Sequence, residues 1–267
     1  MSSVLELELN ESSNQIDVSS REHEQDITVR VSAKRVLKIL LCIVATLIIT
    51  GTTASFITHK VAPTPEHKLA KLMNRFDINH EPSIPAWYSS CALLTSSALL
   101  VLTGLAKMHG RDRFFKHWLM MGVLFLGLSV DEAARFHEMI HIVIISQIEV
   151  HGIFYFPWVV PALVFVGIVG VCYIPFLTKI DRRTAKLFLA AGAVYVMGAV
   201  GMEIIAGPLA EKYGLFSTPH MICEAIEETL EMLGIVIFIY ALLDHLERCV
   251  KPIRFQVISK LRQANSG

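Results

Sequence analysis

The stretch LGLSVDEAARFHEMIH, residues 126–141, decides how the rest of the chain must be arranged. Apolar sequence flanks it on both sides, WLMMGVLF before it and IVII after it. The stretch itself carries Ser129, Asp131, Glu132, Arg135, His137, Glu138 and His141. A charged side chain at the centre of a bilayer costs about 2.5–3.5 kcal/mol even on the most permissive insertion scales. We therefore expect these side chains to be paired, protonated, hydrated or bound to a cation, and to mark a functional site.

The composition of the chain indicates a membrane protein. Of its 267 residues, 53% are hydrophobic and only 18% are charged. The hydrophobic residues form blocks long enough to cross a hydrocarbon core of about 30 Å, so membrane lipids are the expected surroundings. The 24 basic and 24 acidic residues cancel, which leaves no basic surplus for binding nucleic acid. The five cysteines lack CxxC spacing and four lie in apolar segments, which favours small core residues over disulfides or a thiolate cluster.

Six hydrophobic segments predict an all-α, polytopic membrane protein with six transmembrane helices. The predicted spans are residues 36–58, 86–106, 117–145, 157–178, 186–206 and 221–244. Each is close to or above the 20 residues that a helix needs to cross a bilayer, and the third is long enough to tilt or to emerge from the membrane. The predicted domain covers residues 34–247, between a polar, disordered tail at 1–33 and a basic tail at 248–267.

Lysine and arginine residues mark the predicted cytoplasmic side. They cluster before the first span, between the second and third, between the fourth and fifth, and after the sixth, within residues 34–38, 107–116, 179–186 and 248–262. The alternate loops contain few, and basic residues are enriched in cytoplasmic loops. Both termini are therefore predicted to be cytoplasmic.

The loop between the first two spans, residues 59–84, is predicted to lie on the outer face. Leu69, Leu72 and Phe76 recur at helical spacing after Thr64-Pro65, a typical helix start. We expect a short interfacial helix that rests on the lipid headgroups, in preference to a lid over a site.

Acidic residues on the sixth span fall on one helical face. Glu224, Glu227, Glu228 and Glu231 are separated by three, four and seven positions, which confines them to a stripe about 100° wide. The fifth span adds one acid, Glu203, among glycines that allow another helix to approach closely.

The third span presents a matching group. Asp131, Glu138 and His141 share one face, with His137 at its edge. The predicted directions of the spans arrange the polar groups in two layers, one near the outer interface and one near mid-membrane. Eight carboxylates opposite Arg135 cannot all stay ionised in a low-dielectric interior, so cations or protons must bind. Arg135 itself is expected to neutralise Glu132 or Asp131 as an interhelical ion pair.

We predict that a divalent metal fills this region. Glu138-x-x-His141 places a carboxylate and an imidazole on one helical face, and oxygen-rich ligation with imidazole suits iron, manganese or zinc rather than copper(I). The predicted metal ligands are Asp131, His137, Glu138, His141, Glu203, Glu224, Glu228 and Glu231. Iron or manganese is favoured over zinc, and the number of ions stays open. Three polar residues at helix ends are expected to be interface residues: His220, Asp244 and His245.

Two motifs carry a resemblance to a known family. SxDExxxxHE at 129–138 and EExxEMLG at 227–234, with Glu203 between them, resemble a family of uncharacterised multi-pass bacterial inner-membrane proteins. The resemblance implies that location and no activity.

Two further resemblances concern metal chemistry. Glu138-x-x-His141 resembles half of the ligand motif of the di-iron and di-manganese carboxylate bundles. His137-x-x-x-His141 with Ser129 and Asp131 is more weakly similar to the membrane hydrolases related to alkaline ceramidases and adiponectin receptors, which implies a zinc site.

Three functions remain open at this point. The first is a membrane metalloenzyme acting on an apolar small molecule or a lipid, with Glu132 and Ser129 as candidate catalytic residues; iron implies oxidation and zinc implies hydrolysis. The second is a proton- or divalent-cation-coupled transporter, although the apolar inner halves of the fifth and sixth spans favour a one-sided site. The third is a metal-stabilised accessory subunit of a membrane complex. The oligomeric state is not predicted.

The basic residues predict the outcome of a topology experiment. Reporters fused after Asn265 and between Arg111 and Lys116 should both read cytoplasmic, and a reporter at Thr64 should read external. A cytoplasmic reading at Thr64 would reverse the predicted orientation and place the acidic site in the opposite leaflet.

Overall fold

The computed structural model describes residues 32–61, 68–80 and 83–249, and within these ranges the regular structure is helical, without a β-strand. The helices are α1 (Ala33–Phe56), α2 (Lys68–Met73), α3 (Ile84–His109), α4 (Phe115–Ala134), α5 (Phe136–Ile145), α6 (Val159–Leu177), α7 (Arg182–Val196), α8 (Glu203–Tyr213) and α9 (Thr218–Cys249). Two π-helical segments, Ile57–Val61 and Met197–Met202, extend α1 and join α7 to α8. The all-α prediction is confirmed for this part of the chain.

Among the residues that the structure describes, four helical stretches are long and apolar enough to cross a membrane: Ala33–Lys60, Ile84–His109, Val159–Leu177 and Arg182–Tyr213. They coincide with the first, second, fourth and fifth predicted spans, and they indicate a membrane protein. The third and sixth predicted spans correspond to α4 with α5 and to α9. Six crossings and cytoplasmic termini stay predictions, and the predicted tails lie outside the described residues except at their inner ends.

The third predicted span is not one continuous helix. Arg135 separates α4 from α5 in a left-handed conformation, with φ 58° and ψ 43°, which costs a non-glycine residue about 1–2 kcal/mol. Its N–H donates to the carbonyl oxygen of Asp131 at 2.6 Å, and the Asp131 carboxylate accepts the backbone N–H of His137 at 3.0 Å. The prediction of a single helix over 117–145 is therefore wrong. The Asp131 carboxylate replaces a helix carbonyl oxygen as acceptor for an N–H in the first turn of α5, and the spacing of apolar residues does not reveal such a contact.

Helix α9 is central to the described fold and packs against α1, α3, α7 and α8. Its Phe238 and Leu242 belong to a buried apolar cluster with Trp118 and Phe176. One turn earlier, Ile235 and neighbouring residues belong to a second cluster with α3. The middle of α9 is therefore enclosed by apolar side chains.

Helices α3 and α4 pack closely through small residues. The Ser97 hydroxyl donates to the carbonyl oxygen of Gly122 at 2.7 Å. Ser90 and Ser129 each donate a hydroxyl hydrogen bond to the other's carbonyl oxygen, at 2.9 and 2.8 Å. Small hydroxyl side chains at such crossings let two helices approach and hydrogen-bond in an apolar setting.

The C-terminal part of α9 is tied to α7 by an ion-pair network. The Arg248 guanidinium lies 2.9 Å from Asp181 and 2.9 Å from Asp244, and its hydrogen bond holds the pKa of Asp181 well below the ordinary value. His245 is 2% exposed and lies 3.1 Å from the Thr184 hydroxyl. Asp244 and His245 are both buried between the helices, and their expected place at the membrane interface stays a prediction.

A glycine in the π-helical segment predicts a packing cost. A Cβ atom at Gly198 would lie 2.9 Å from the carbonyl oxygen of Glu227, whereas a Cβ at Gly192 on α7 would meet no atom within 4 Å. Gly198→Ala should lower the free energy of unfolding by about 1–3 kcal/mol, since backbone on α9 must shift. The matched control Gly192→Ala should be neutral or stabilising by up to about 1 kcal/mol. Thermal unfolding in detergent measures both, and equal effects would contradict the close contact.

Candidate functional site

A cavity of about 300 Å³ opens among α5, α8, α9 and the loop after α2. Nine ionisable side chains line it: Arg135, His137, Glu138, His141, Glu203, His220, Glu224, Glu227 and Glu228. Apolar and aromatic side chains, among them Ile142, Phe156 and Trp158, complete the wall. The cavity therefore combines oxygen and imidazole donors with apolar surface.

Helix α5 reaches the cavity because of the break at Arg135. The Asp131 carboxylate accepts hydrogen bonds from both the backbone N–H and the ring Nδ1 of His137, each at 3.0 Å. Arg135 forms an ion pair with Glu138, three residues further on. The sequence predicted an ion pair of Arg135 with Glu132 or Asp131, whereas this ion pair is with Glu138.

Helix α8 brings Glu203 to the cavity directly after the π-helical segment. Such segments insert an extra residue into a helix turn and are common at functional sites. The indole N–H of Trp158 donates to the Glu203 carboxylate at 3.2 Å, and the Trp158 ring lies 5.1 Å from the His137 ring. A chain of contacts therefore joins α5, the start of α6 and α8.

Helix α9 supplies the largest share of the donors. His220, Glu224, Glu227 and Glu228 lie on successive turns and all face the cavity. His220 is 2% exposed, and neither ring nitrogen makes a hydrogen bond, although Nδ1 lies 3.5 Å from the Glu224 carboxylate. The imidazole is therefore buried beside the cavity, and the expected place of His220 at the membrane interface stays a prediction.

The loop after α2 forms one wall of the cavity. Helix α2 lies within the helix predicted in the outer loop, and the predicted helix start at Thr64-Pro65 lies outside the described residues. Beyond α2, Ile78 packs on Gly51 of α1, and the Asn79 side chain donates to the carbonyl oxygen of Met221 at 3.2 Å. Ile78 and Asn79 line the cavity, so this loop does more than rest on headgroups.

A contact between a buried carboxylate and an imidazole holds this loop on α1. Asp77 is fully buried, and its carboxylate lies 3.4 Å from Nε2 of His59. The His59 ring stacks on Phe216 at 5.4 Å. His59 therefore contacts both loops that flank the cavity, the loop after α2 and the loop before α9.

The structure brings together six of the eight predicted metal ligands: His137, Glu138, His141, Glu203, Glu224 and Glu228. The other two lie outside the lining: Asp131 hydrogen-bonds to His137, and Glu231 packs beside Gly198. The candidate catalytic residues Ser129 and Glu132 are also absent from the lining, and Ser129 hydrogen-bonds to Ser90.

Two cavity residues of α9, Glu227 and His220, were not among the predicted metal ligands. Glu227 belongs to the predicted acidic stripe, so its spacing was a sufficient signal. His220 precedes Glu224 by four residues, a spacing that places both on one helical face. Trp158 carried no signal, because only the folded chain brings it to Glu203.

Within the described ranges, no three His, Cys, Asp or Glu side chains are grouped closely enough to form a metal site as they stand. Side-chain rotation within the cavity is therefore required for three or more of these donors to share one ion. The donor types themselves, carboxylate oxygen and imidazole nitrogen, are those that iron, manganese and zinc accept.

Comparison with known proteins identifies a family. The family model described as Domain of unknown function (DUF8692) matches residues 39–246. The chain belongs to this family. The DUF8692 match includes every residue that lines the cavity, and it agrees with the expected likeness to an uncharacterised family. No curated protein and no solved structure matches the chain. The resemblances to di-metal bundles and to membrane hydrolases stay predictions.

The pair of His59 and Asp77 predicts an asymmetric mutational response. His59→Ala should lower the free energy of unfolding by about 1–3 kcal/mol, since it leaves a buried carboxylate without its partner. The double variant His59→Ala/Asp77→Ala should lose less than the sum of the two single variants. Additive losses in thermal unfolding would show that the two side chains do not interact.

Proposed function

We propose that this protein is a membrane metalloenzyme that binds a divalent metal in the carboxylate and imidazole cavity and acts on an apolar or lipid substrate. The observation that carries the proposal is the convergence of five glutamates and three histidines on one cavity of about 300 Å³. Bundles that bind two metals use the same donor types from facing helices.

Charge supports a bound cation. Five carboxylates line the cavity with one guanidinium, that of Arg135, which already pairs with Glu138. A surplus of four negative charges in a partly enclosed, apolar-walled space is strongly unfavourable unless cations or protons bind. A divalent ion offsets two of these charges and supplies ligand bonds as well.

Unsatisfied imidazole nitrogens support a metal rather than protons alone. His220 is buried, and its Nδ1 makes only a long 3.5 Å contact with the Glu224 carboxylate, while His141 has a buried Nδ1 without a hydrogen-bond partner. Buried polar atoms without partners are rare and call for a bound ion or water. The proposed ligands are His137, His141, His220, Glu203, Glu224, Glu227 and Glu228. Glu138 is occupied by Arg135.

The substrate class follows from the apolar part of the wall. Ile142, Phe156 and Trp158 line the cavity, and on the outer surface of α5 Met139 and Val143 are exposed. In a membrane these surfaces face lipid, so an apolar substrate can approach from the bilayer. Iron or manganese would support oxidation, and zinc would support hydrolysis through an activated water.

Transport is less well supported than catalysis. A conduit needs polar groups from the cavity to the other end of the bundle, yet the next turns of α9 beyond the acidic stripe lie in apolar clusters that include Ile235, Phe238 and Leu242. The polar groups beyond them, around Arg248, are already joined in ion pairs. A one-sided site fits this arrangement better.

Elemental analysis of the purified, detergent-solubilised protein tests the proposal. We expect bound iron, manganese or zinc, and we expect Glu228→Gln and His220→Ala each to lower the metal content at least tenfold, since each removes a ligand. Glu247→Gln is the matched control on the same helix. Its carboxylate accepts the backbone N–H of Ala33 at 2.6 Å, and glutamine keeps that acceptor, so metal content should not change.

Two results would overturn the proposal. One is wild-type protein that holds no metal and whose unfolding temperature does not respond to chelator, which leaves protons as the charge compensation. The other is a metal content that is unchanged in both site variants, which would place the metal elsewhere. A bound metal without turnover of any lipid or apolar substrate would favour the accessory-subunit function.

A further inference from the structure

The Asp131 carboxylate contacts two nitrogen atoms of His137. One carboxylate oxygen accepts the backbone N–H of His137 at 3.0 Å, and the other lies 3.0 Å from ring Nδ1. The two residues are six apart in sequence. On an unbroken α-helix they would lie about 120° apart around the axis and about 9 Å apart along it, so the left-handed turn at Arg135 creates this contact.

We propose that Asp131 is a positioning residue that keeps the proton of His137 on Nδ1 and thereby presents the lone pair of Nε2 to the metal in the cavity. The proposal rests on the proposed function and assigns Asp131 a different role from the ligand role that spacing predicts. Metal-binding histidines commonly donate their second N–H to a carboxylate, which fixes both the tautomer and the orientation of the ring.

Two neighbouring side chains restrain the His137 ring. His137 lines the cavity, and Nε2 lies across the ring from the nitrogen that faces Asp131. The indole ring of Trp158 lies 5.1 Å away and is itself tied to Glu203 through its N–H. The imidazole is therefore restrained by the carboxylate on one edge and by a fixed aromatic ring beside it.

An isosteric substitution tests the role of Asp131. Asparagine has one acceptor oxygen and one donor NH₂ group where aspartate has two acceptors. The backbone N–H of His137 can only donate. In the Asp131→Asn variant it therefore pairs with the side-chain oxygen, and the side-chain NH₂ group is left facing Nδ1. Nδ1 must then accept, which moves the ring proton to Nε2 and removes the lone pair from the cavity.

The direct readout is the ¹⁵N NMR spectrum of histidine-labelled protein after treatment with chelator. The His137 signals are identified by their loss in His137→Gln. Wild-type protein should show the Nδ1–H tautomer, and Asp131→Asn should show the Nε2–H tautomer. Added Zn²⁺ should bind about 10–100-fold more weakly to the variant, the usual effect of losing such a partner.

The control is Asp112→Asn, because Asp112 also accepts a backbone N–H, that of Phe114 at 2.8 Å. It should change neither the His137 tautomer nor the affinity for Zn²⁺. Unfolding temperatures establish that each variant is folded, and the wild-type spectrum tests the proposal even if Asp131→Asn does not fold.

Three outcomes overturn the inference. An Nε2–H tautomer of His137 in wild-type protein would contradict the claim that Asp131 keeps the proton on Nδ1. Weaker Zn²⁺ binding in Asp131→Asn with an unchanged tautomer would make Asp131 a direct ligand. A changed tautomer with undiminished Zn²⁺ binding would show that His137 does not bind the metal. Absence of any Zn²⁺ binding to wild-type protein is a failure of the proposed function, and the tautomer measurement still separates that failure from a wrong assignment of Asp131.

Discussion

The paired hydrogen bonds from His137 to Asp131 are the interaction on which the cavity depends. They provide an acceptor for a backbone N–H in the first turn of α5 and so allow the chain to break at Arg135. The break redirects α5 and brings His137, Glu138 and His141 to the donors of α9. Without it, a straight continuation of α4 would carry these side chains along a different axis. A local capping contact therefore determines a long-range arrangement.

The sequence was sufficient for features that depend on spacing along one helix. The stripe of Glu224, Glu227 and Glu228 follows from positions three and four apart, and the structure places all three at the cavity. Four apolar spans follow from length and composition. The break at Arg135 could not be predicted from spacing. The contact between Asp131 and His137, six residues apart, forms only when the helix is interrupted, and the apolar residues continue at helical spacing through the break. The burial of Asp77 escaped prediction because it depends on a loop packing against α1, which no local pattern encodes.

The two polar regions along α9 differ in how their charges are satisfied. Around Arg248, cations and anions are matched, and the carboxylates of Asp181 and Asp244 have defined partners. Around Glu227, acids outnumber the lining cation Arg135, and a buried histidine nearby has no hydrogen bond. Matched ion pairs serve to hold helices together, whereas an unmatched group is stable only when something else supplies the missing charge. Ion pairing accounts for the first region, and the second is the region where we propose that a ligand binds.

Arg135 occupies a backbone conformation that lowers the stability of the fold. Glycine is the residue that the left-handed conformation favours, since it carries no Cβ to clash with the backbone. An arginine there leaves the fold about 1 kcal/mol or more short of the stability that this turn could offer. In return, the rim of the cavity holds a permanent positive charge next to Glu138. The residue at position 135 is therefore suited to the contacts of its side chain in the cavity and not to the conformation of its backbone.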